Sequence, residues 1–154
     1  MENFAFKIEI NATRERVWDI LFGATTYPLW TAVFSEGSHA ETDWKKGSRA
    51  LFLGSEGKGL VSRIDESTPY SYLSITHLGM YDNGVEDFDS EEVKKWAGAI
   101  EDYTLTEVGG QTLLTIDMSI TAEFEDYFQQ TWPKALAKVK ELAEQAEVIP
   151  PVVV

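Results

Sequence analysis

The sequence predicts an α+β fold: a curved antiparallel sheet of about seven strands with one long C-terminal helix laid across it. Three observations carry this reading. Thr121 to Glu147 repeats large apolar residues at helical spacing. A short helix signal after the first strand presents an apolar stripe to the same core. Between the two, from Gly37 to Ile120, the apolar period is closer to two than to 3.6.

Residues 4–10 set Phe4, Phe6, Ile8 and Ile10 on one face and Ala5, Lys7 and Glu9 on the other, the pattern of a half-buried strand. Thr13 then offers a hydroxyl to cap a helix whose stripe is Val17, Trp18, Ile20 and Leu21, and Gly23 stops it. Pro28 suits the start of a second short helix that brings Leu29, Trp30, Val33 and Phe34 inward. Six further strands are expected at 37–42, 48–54, 58–66, 70–78, 98–108 and 111–121. They are joined by turns such as Gly54-Ser55-Glu56-Gly57 and Gly109-Gly110. Short turns imply antiparallel neighbours.

One connection, 79–97, is longer and acidic. Asp89 with Glu92 three residues on resembles a capping box, and Val93 and Trp96 could dock one helical turn, which makes the loop a candidate lid. In the last segment Phe124, Tyr127, Phe128, Thr131, Trp132, Ala135, Leu136, Val139, Leu142, Ala143 and Ala146 share a helical face. Pro133 should kink that helix or restart it near Thr131. The tail 148–154 should leave the helix and pack on its own domain or on a neighbour.

Length and composition fit a single globular domain over 1–154. Twenty-six acidic against thirteen basic side chains give a formal charge of −13, which disfavours nucleic acid and anionic lipid surfaces as partners. Without cysteine there is neither a disulfide framework nor a thiolate site. The N-terminus has no leader pattern and no apolar run reaches spanning length, so the expected address is the cytoplasm, not membrane-embedded.

Several stretches carry a resemblance. Asn11-Ala12-Thr13-Arg14-Glu15-Arg16-Val17-Trp18-Asp19-Ile20-Leu21, then Tyr27-Pro28-Leu29-Trp30, then Trp132 with Leu136, Leu142 and Glu144 are similar to the START-like SRPBCC superfamily. Within it they look most like bacterial proteins related to the activator of the heat-shock chaperone ATPase. The resemblance covers essentially the whole chain and implies the helix-grip fold with a hydrophobic cavity. Members of the superfamily bind lipids, sterols, polyketides or plant hormones, and some are cyclases or hydrolases. Fold alone does not decide among these.

Alternate strand positions and the helix face nominate the cavity lining: Trp30, Phe34, Leu51, Leu53, Leu73, Ile75, Tyr103, Ile116, Met118, Phe128 and Trp132, with Trp96 as a gate. The plain alternative is that these side chains fill the core. His77 shares a strand phase with Leu73 and Ile75. If strands 70–78 and 98–108 pair, Glu101 comes beside it on the face that holds Tyr103. Such a pair could orient a polar ligand group or act as acid and base, and it could equally be a satisfied structural pair. His39, near an exposed turn, reads as solvent-facing.

The carboxylates Asp82, Glu86, Asp87, Asp89 and Glu91 lack calcium-loop spacing and read as a solvated loop. No Gly-x-Ser-x-Gly elbow accompanies His77 and Ser74, and no glycine loop suits a phosphate, so no cofactor is expected. The leading expectation is binding of a small, largely apolar ligand, lipid-like or aromatic. The alternatives are a module that meets a chaperone-like protein partner and, third, a cyclase or hydrolase using His77 and Glu101. The chain would act as a monomer or homodimer.

Overall fold

In the computed structural model, which describes residues 1–145, the N-terminal alternation folds as β1 (Glu2–Ile10). The Thr13 hydroxyl accepts the Arg16 N–H at 3.2 Å and starts α1 (Arg14–Phe22), which buries Val17, Ile20, Leu21 and Phe22. Pro28 lies in the first turn of α2 (Tyr27–Thr31). The indole of Trp30 donates to the Leu21 carbonyl at 3.0 Å, which ties the two helices together.

The strands that follow are β2 (His39–Glu41), β3 (Arg49–Leu53), β4 (Lys58–Thr68), β5 (Tyr72–Asp82), β6 (Val85–Asp87), β7 (Ile100–Val108) and β8 (Gln111–Ile120). They form one antiparallel sheet in the order β1-β8-β7-β5-β4-β3-β2, with β6 added to β5. Register places Phe4 opposite Met118, Met118 opposite Glu101, and Glu101 opposite Ile75. One continuous inner face results, and the Gly109-Gly110 turn, both residues at positive φ, closes the two-residue hairpin between β7 and β8.

Helix α4 (Glu125–Glu144), entered through a 3-10 turn at Ala122–Phe124, packs Trp132, Ala135, Leu136, Val139 and Ala143 against that face. It passes through Pro133 as one helix and does not restart near Thr131. Pro133 and Gln129 both lie on the exposed side, where the carbonyl deprived of its donor can meet water. Its far end is fastened to the start of the chain. Arg16 donates to the Leu142 and Ala143 carbonyls at 3.2 and 3.4 Å, and the Asn11 N–H donates to the Glu144 carboxylate at 3.0 Å. Ala146, Glu147 and the tail 148–154 lie outside the described residues.

The connection expected as a loop over 79–97 is more ordered than its composition suggested. Strand β5 runs on to Asp82 and turns through Asn83 and Gly84 into β6; α3 (Glu91–Lys94) follows. The cap of α3 is Ser90, not Asp89. The Asp87 carboxylate accepts the Asp89 and Ser90 N–H groups at 3.1 and 3.0 Å, and this turn sets the Ser90 hydroxyl on the Val93 N–H. His39 also departs from expectation: it sits half-buried in β2, its Nδ1 3.0 Å from the Gly37 carbonyl.

A bulge in β5 controls what faces inward. Val61 pairs with Gly79 but Ser62 pairs with His77, so Leu78 is the extra residue. Before it Leu73, Ile75 and His77 face the core. Beyond it Met80 points inward, and Gly79 turns out beneath the chain that follows β6. A Cβ at Gly79 would stand 2.4 Å from the Asp87 carbonyl oxygen and 2.6 Å from the Phe88 ring. Gly79→Ala should therefore cost about 1–3 kcal/mol, read from denaturant unfolding, and should raise amide exchange over 85–99 before it does so in β1 and β8.

Candidate functional site

Between the inner face of the sheet, α2 and the N-terminal half of α4 lies a hollow of about 540 Å³. Ten of the fourteen residues nominated from sequence line it: Trp30, Phe34, Leu53, His77, Trp96, Glu101, Tyr103, Met118, Phe128 and Trp132. Four do not. Leu51, half-buried in β3, is not among the residues that reach it, although Leu53 on the same phase is. Leu73, Ile75 and Ile116 are on the expected face, but they are fully buried in the close-packed cluster shared with Phe22, Leu136 and Val139. The hollow is confined to one end of the sheet.

Tyr27, Phe52, Leu60 and Thr121 also line it and were missed by sequence reasoning. Tyr27 and Phe52 had a signal, since both are aromatics beside nominated residues. The bulged phase of β4 gave none for Leu60. Phe124, Tyr127 and Met80 line the hollow and are also exposed, which marks its mouth. Aromatic edges form much of the wall. Trp132 lies 4.9 Å from Phe34, 6.0 Å from Trp30 and 6.3 Å from Tyr103 between ring centroids.

One wall is polar. His77 Nε2 is 3.1 Å from a Glu101 oxygen, and the Tyr103 hydroxyl donates to the other oxygen of that carboxylate. On its far side His77 Nδ1 is 2.6 Å from the Ser62 hydroxyl, a residue that no sequence pattern singled out. A carboxylate requires donors, so in the neutral imidazole Nε2 carries the proton and Nδ1 accepts from Ser62. Ser62, His77 and Glu101 thus form a serine, histidine and acid chain, but Ser62 is sealed behind the wall and does not line the hollow. Its hydroxyl has no approach to a carbonyl carbon there, and this argues against a serine-nucleophile hydrolase. Ser74, the other serine weighed beside His77, donates to Asp102 at 2.5 Å.

The loop carboxylates have local partners. Glu86 pairs with Arg49, and the Ser90 side chain, followed by the Ser90 and Asp89 N–H groups, holds the Asp87 carboxyl below the usual range. Two phenols are displaced strongly. Burial, then the charge of Glu101, pushes the Tyr103 and Tyr27 hydroxyls well above the usual phenol value. A group whose folded pKa is raised contributes stability that is intact below its unfolded value and lost as pH rises through the folded one. Unfolding stability should therefore fall as pH rises above the usual phenol value of 10.0. In chemical denaturation series across that range, Tyr103→Phe should show a shallower fall than the unaltered chain.

Comparison places this architecture among known proteins. The Aha1 dimer from Colwellia psychrerythraea superposes with a TM-score of 0.70 at 18% identity, covering 96% of this chain and 99% of that one. Protein MLL2253 from Mesorhizobium loti gives 0.69 at 18% identity, covering 92% and 96%. DynU16, a putative protein in the dynemicin biosynthetic locus, gives 0.70 at 15% identity and covers 94% of this chain but 48% of its own. At these identities the likeness is one of fold, the START-like helix grip. No curated protein matches the sequence. No helix among the described residues is long and apolar enough to cross a membrane. The family model described as "Activator of Hsp90 ATPase homolog 1-like protein" matches residues 11–144, and the chain belongs to that family.

Proposed function

We propose that this protein, as one domain over 1–154 with a cytoplasmic address, binds a small, largely apolar ligand in the hollow between sheet and α4. The supporting observation is the hollow itself. It is open at a rim that includes exposed apolar side chains, walled largely by aromatics, and carries a buried polar group built on His77, Glu101 and Tyr103. Apolar burial supplies affinity at roughly 25 cal/mol per Å² before ordering costs are subtracted. In this reading the nominated side chains that line the hollow are the ligand contacts, and Trp96, half-buried after α3, is the gate.

A second reading, a module that meets a chaperone-like partner, draws on the family description and on Leu29 and Val33, which α2 and the turn after it leave exposed. It uses the outside of the molecule and is compatible with a filled cavity. A third, acid-base catalysis by His77 and Glu101, has the required contact in the wall, but the serine that meets His77, Ser62, is buried away from the hollow.

Trp30, Trp96 and Trp132 all border the hollow, so occupancy should alter tryptophan emission. A screen of lipids and neutral aromatics should give at least one saturable change, and extraction of the purified protein with mass spectrometry should identify a co-purifying apolar molecule. Leu60→Trp, which extends a half-buried lining residue into the space, should weaken the best binder at least tenfold while leaving the unfolding midpoint near that of the unaltered protein.

A further inference from the structure

We infer that the hollow takes an organic cation, an ammonium group carried on an apolar body, with Glu101 as its counter-ion beside a box of rings formed by Tyr27, Trp30, Phe52 and Tyr103. This rests on the cavity reading above and specifies its ligand class.

The charge on Glu101 follows from counting hydrogens along the chain of groups that ends on it. Ser62 is 1% exposed, and its hydroxyl makes one hydrogen bond among the described residues, to His77 Nδ1. A proton on Nδ1 would donate to that hydroxyl and leave the Ser62 hydrogen buried without an acceptor. The hydroxyl therefore donates, Nδ1 accepts, and the imidazole is neutral with its proton on Nε2. Nε2–H and the Tyr103 hydroxyl then donate to Glu101, one to each oxygen. Every donor in the chain points toward Glu101, as a carboxylate requires. Its charge is met by hydrogen bonds but by no cation. No lysine or arginine among the described residues pairs with it, and the one that lines the hollow, Lys58, is exposed. Buried carboxylates are ordinarily paired. Glu101 borders the hollow with 18% of its side chain accessible, so a partner can reach it from there.

The surroundings favour a cation over a neutral donor. Between ring centroids the distances are 6.0 Å from His77 to Phe52, 6.2 Å from Phe52 to Tyr27, 5.4 Å from Tyr27 to Trp30 and 6.4 Å from Trp30 to Tyr103. The Tyr103 hydroxyl returns to Glu101, and Glu101 to His77, which closes the circuit. All six side chains line the hollow. An ammonium against the carboxylate would therefore have aromatic rings for neighbours, and their π systems attract cations. Folding has already removed most of the water around Glu101, so pairing gains a charge-assisted bond and adds only the desolvation of the ligand itself. An apolar carboxylate would meet like charge there, and an alcohol would gain a hydrogen bond without the ionic attraction. The formal charge of −13 also draws cations toward the molecule.

The test is titration calorimetry of the full chain at neutral pH with three probes that share one apolar body: 4-phenylbutylamine, 4-phenylbutan-1-ol and 4-phenylbutyrate. The amine should bind about tenfold tighter than the alcohol, and the butyrate more weakly than either. Glu101→Gln keeps the size of the side chain and removes its charge; it should weaken the amine about tenfold and the alcohol no more than about threefold. Phe52→Leu, which removes one ring, should weaken the amine about threefold more than the alcohol. Imidazole nitrogen NMR shifts of the free protein should report His77 as the neutral Nε2–H tautomer. An alcohol that binds as tightly as the amine would overturn the inference and leave the cavity reading standing. So would an imidazolium at His77, or undiminished amine binding in a folded Glu101→Gln, the result that adventitious binding to the acidic surface would give. Equal losses of amine and alcohol in Phe52→Leu would overturn the role of the rings. If no probe saturates, the inference falls, and the broader screen of lipids and aromatics decides the cavity reading.

Discussion

Trp132 is the side chain on which the arrangement depends. Its ring lies within 6.3 Å, between centroids, of Phe6 on β1, Trp30 on α2, Phe34 beyond it and Tyr103 on β7. It thereby fixes the distance between α4 and the sheet at the boundary of two regions. On one side of it the helix delivers Leu136 and Val139 into a cluster without accessible surface; on the other, the helix and the sheet enclose open space. An aromatic of this size, backed by other aromatics, can hold two layers apart as well as together. The hollow is a consequence of that spacing and of the sheet's curvature.

The polar wall is built by backbone irregularity more than by composition. The extra residue at Leu78 sets His77 opposite Ser62 and hands the β5 edge to the segment that packs over Gly79. The His77 N–H donates to the Ala99 carbonyl at 2.9 Å, and the Gly98 N–H donates to the His77 carbonyl at 2.8 Å. The histidine is thus gripped by the main chain of the turn that enters β7, by Glu101 on β7 itself and by Ser62 on β4. A group held from both flanks is well positioned to orient something else, since its own rotamers are already restricted.

Much of this was legible in the sequence, and the parts that were not have identifiable causes. Strands with strict alternation, β1 and β8 above all, were read correctly because one face turns toward the core along its whole length and a slip would reverse every side chain. The pairing of Ile75 with Glu101 followed from the same rule and put Glu101 beside His77. Alternation could not sort β3, because both phases carry apolar residues, Ala50 and Phe52 on one and Leu51 and Leu53 on the other, and Phe52 and Leu53 reach the hollow while Leu51 does not. Leu73, Ile75 and Ile116 had the correct phase, but period does not report position along a strand, and that position decides between packed core and cavity. Ser62 was invisible because a bulge leaves no fixed sequence mark, and Ser90 was passed over for Asp89 because Asp87's capping of the preceding N–H groups has no periodic signature.

The position of β1 has a kinetic consequence. Among the described residues it lies at the edge of the sheet with β8, more than a hundred residues later, as its one neighbour, while the end of α4 is clasped by Arg16 and Asn11. During synthesis the first strand therefore emerges with its hydrogen-bonding edges and the apolar face of Phe4, Phe6 and Ile8 unpaired, and it stays so until residue 120 is available. Closure of so long a loop favours slow folding governed by distant contacts, with the unpaired β1 segment as its aggregation-sensitive element.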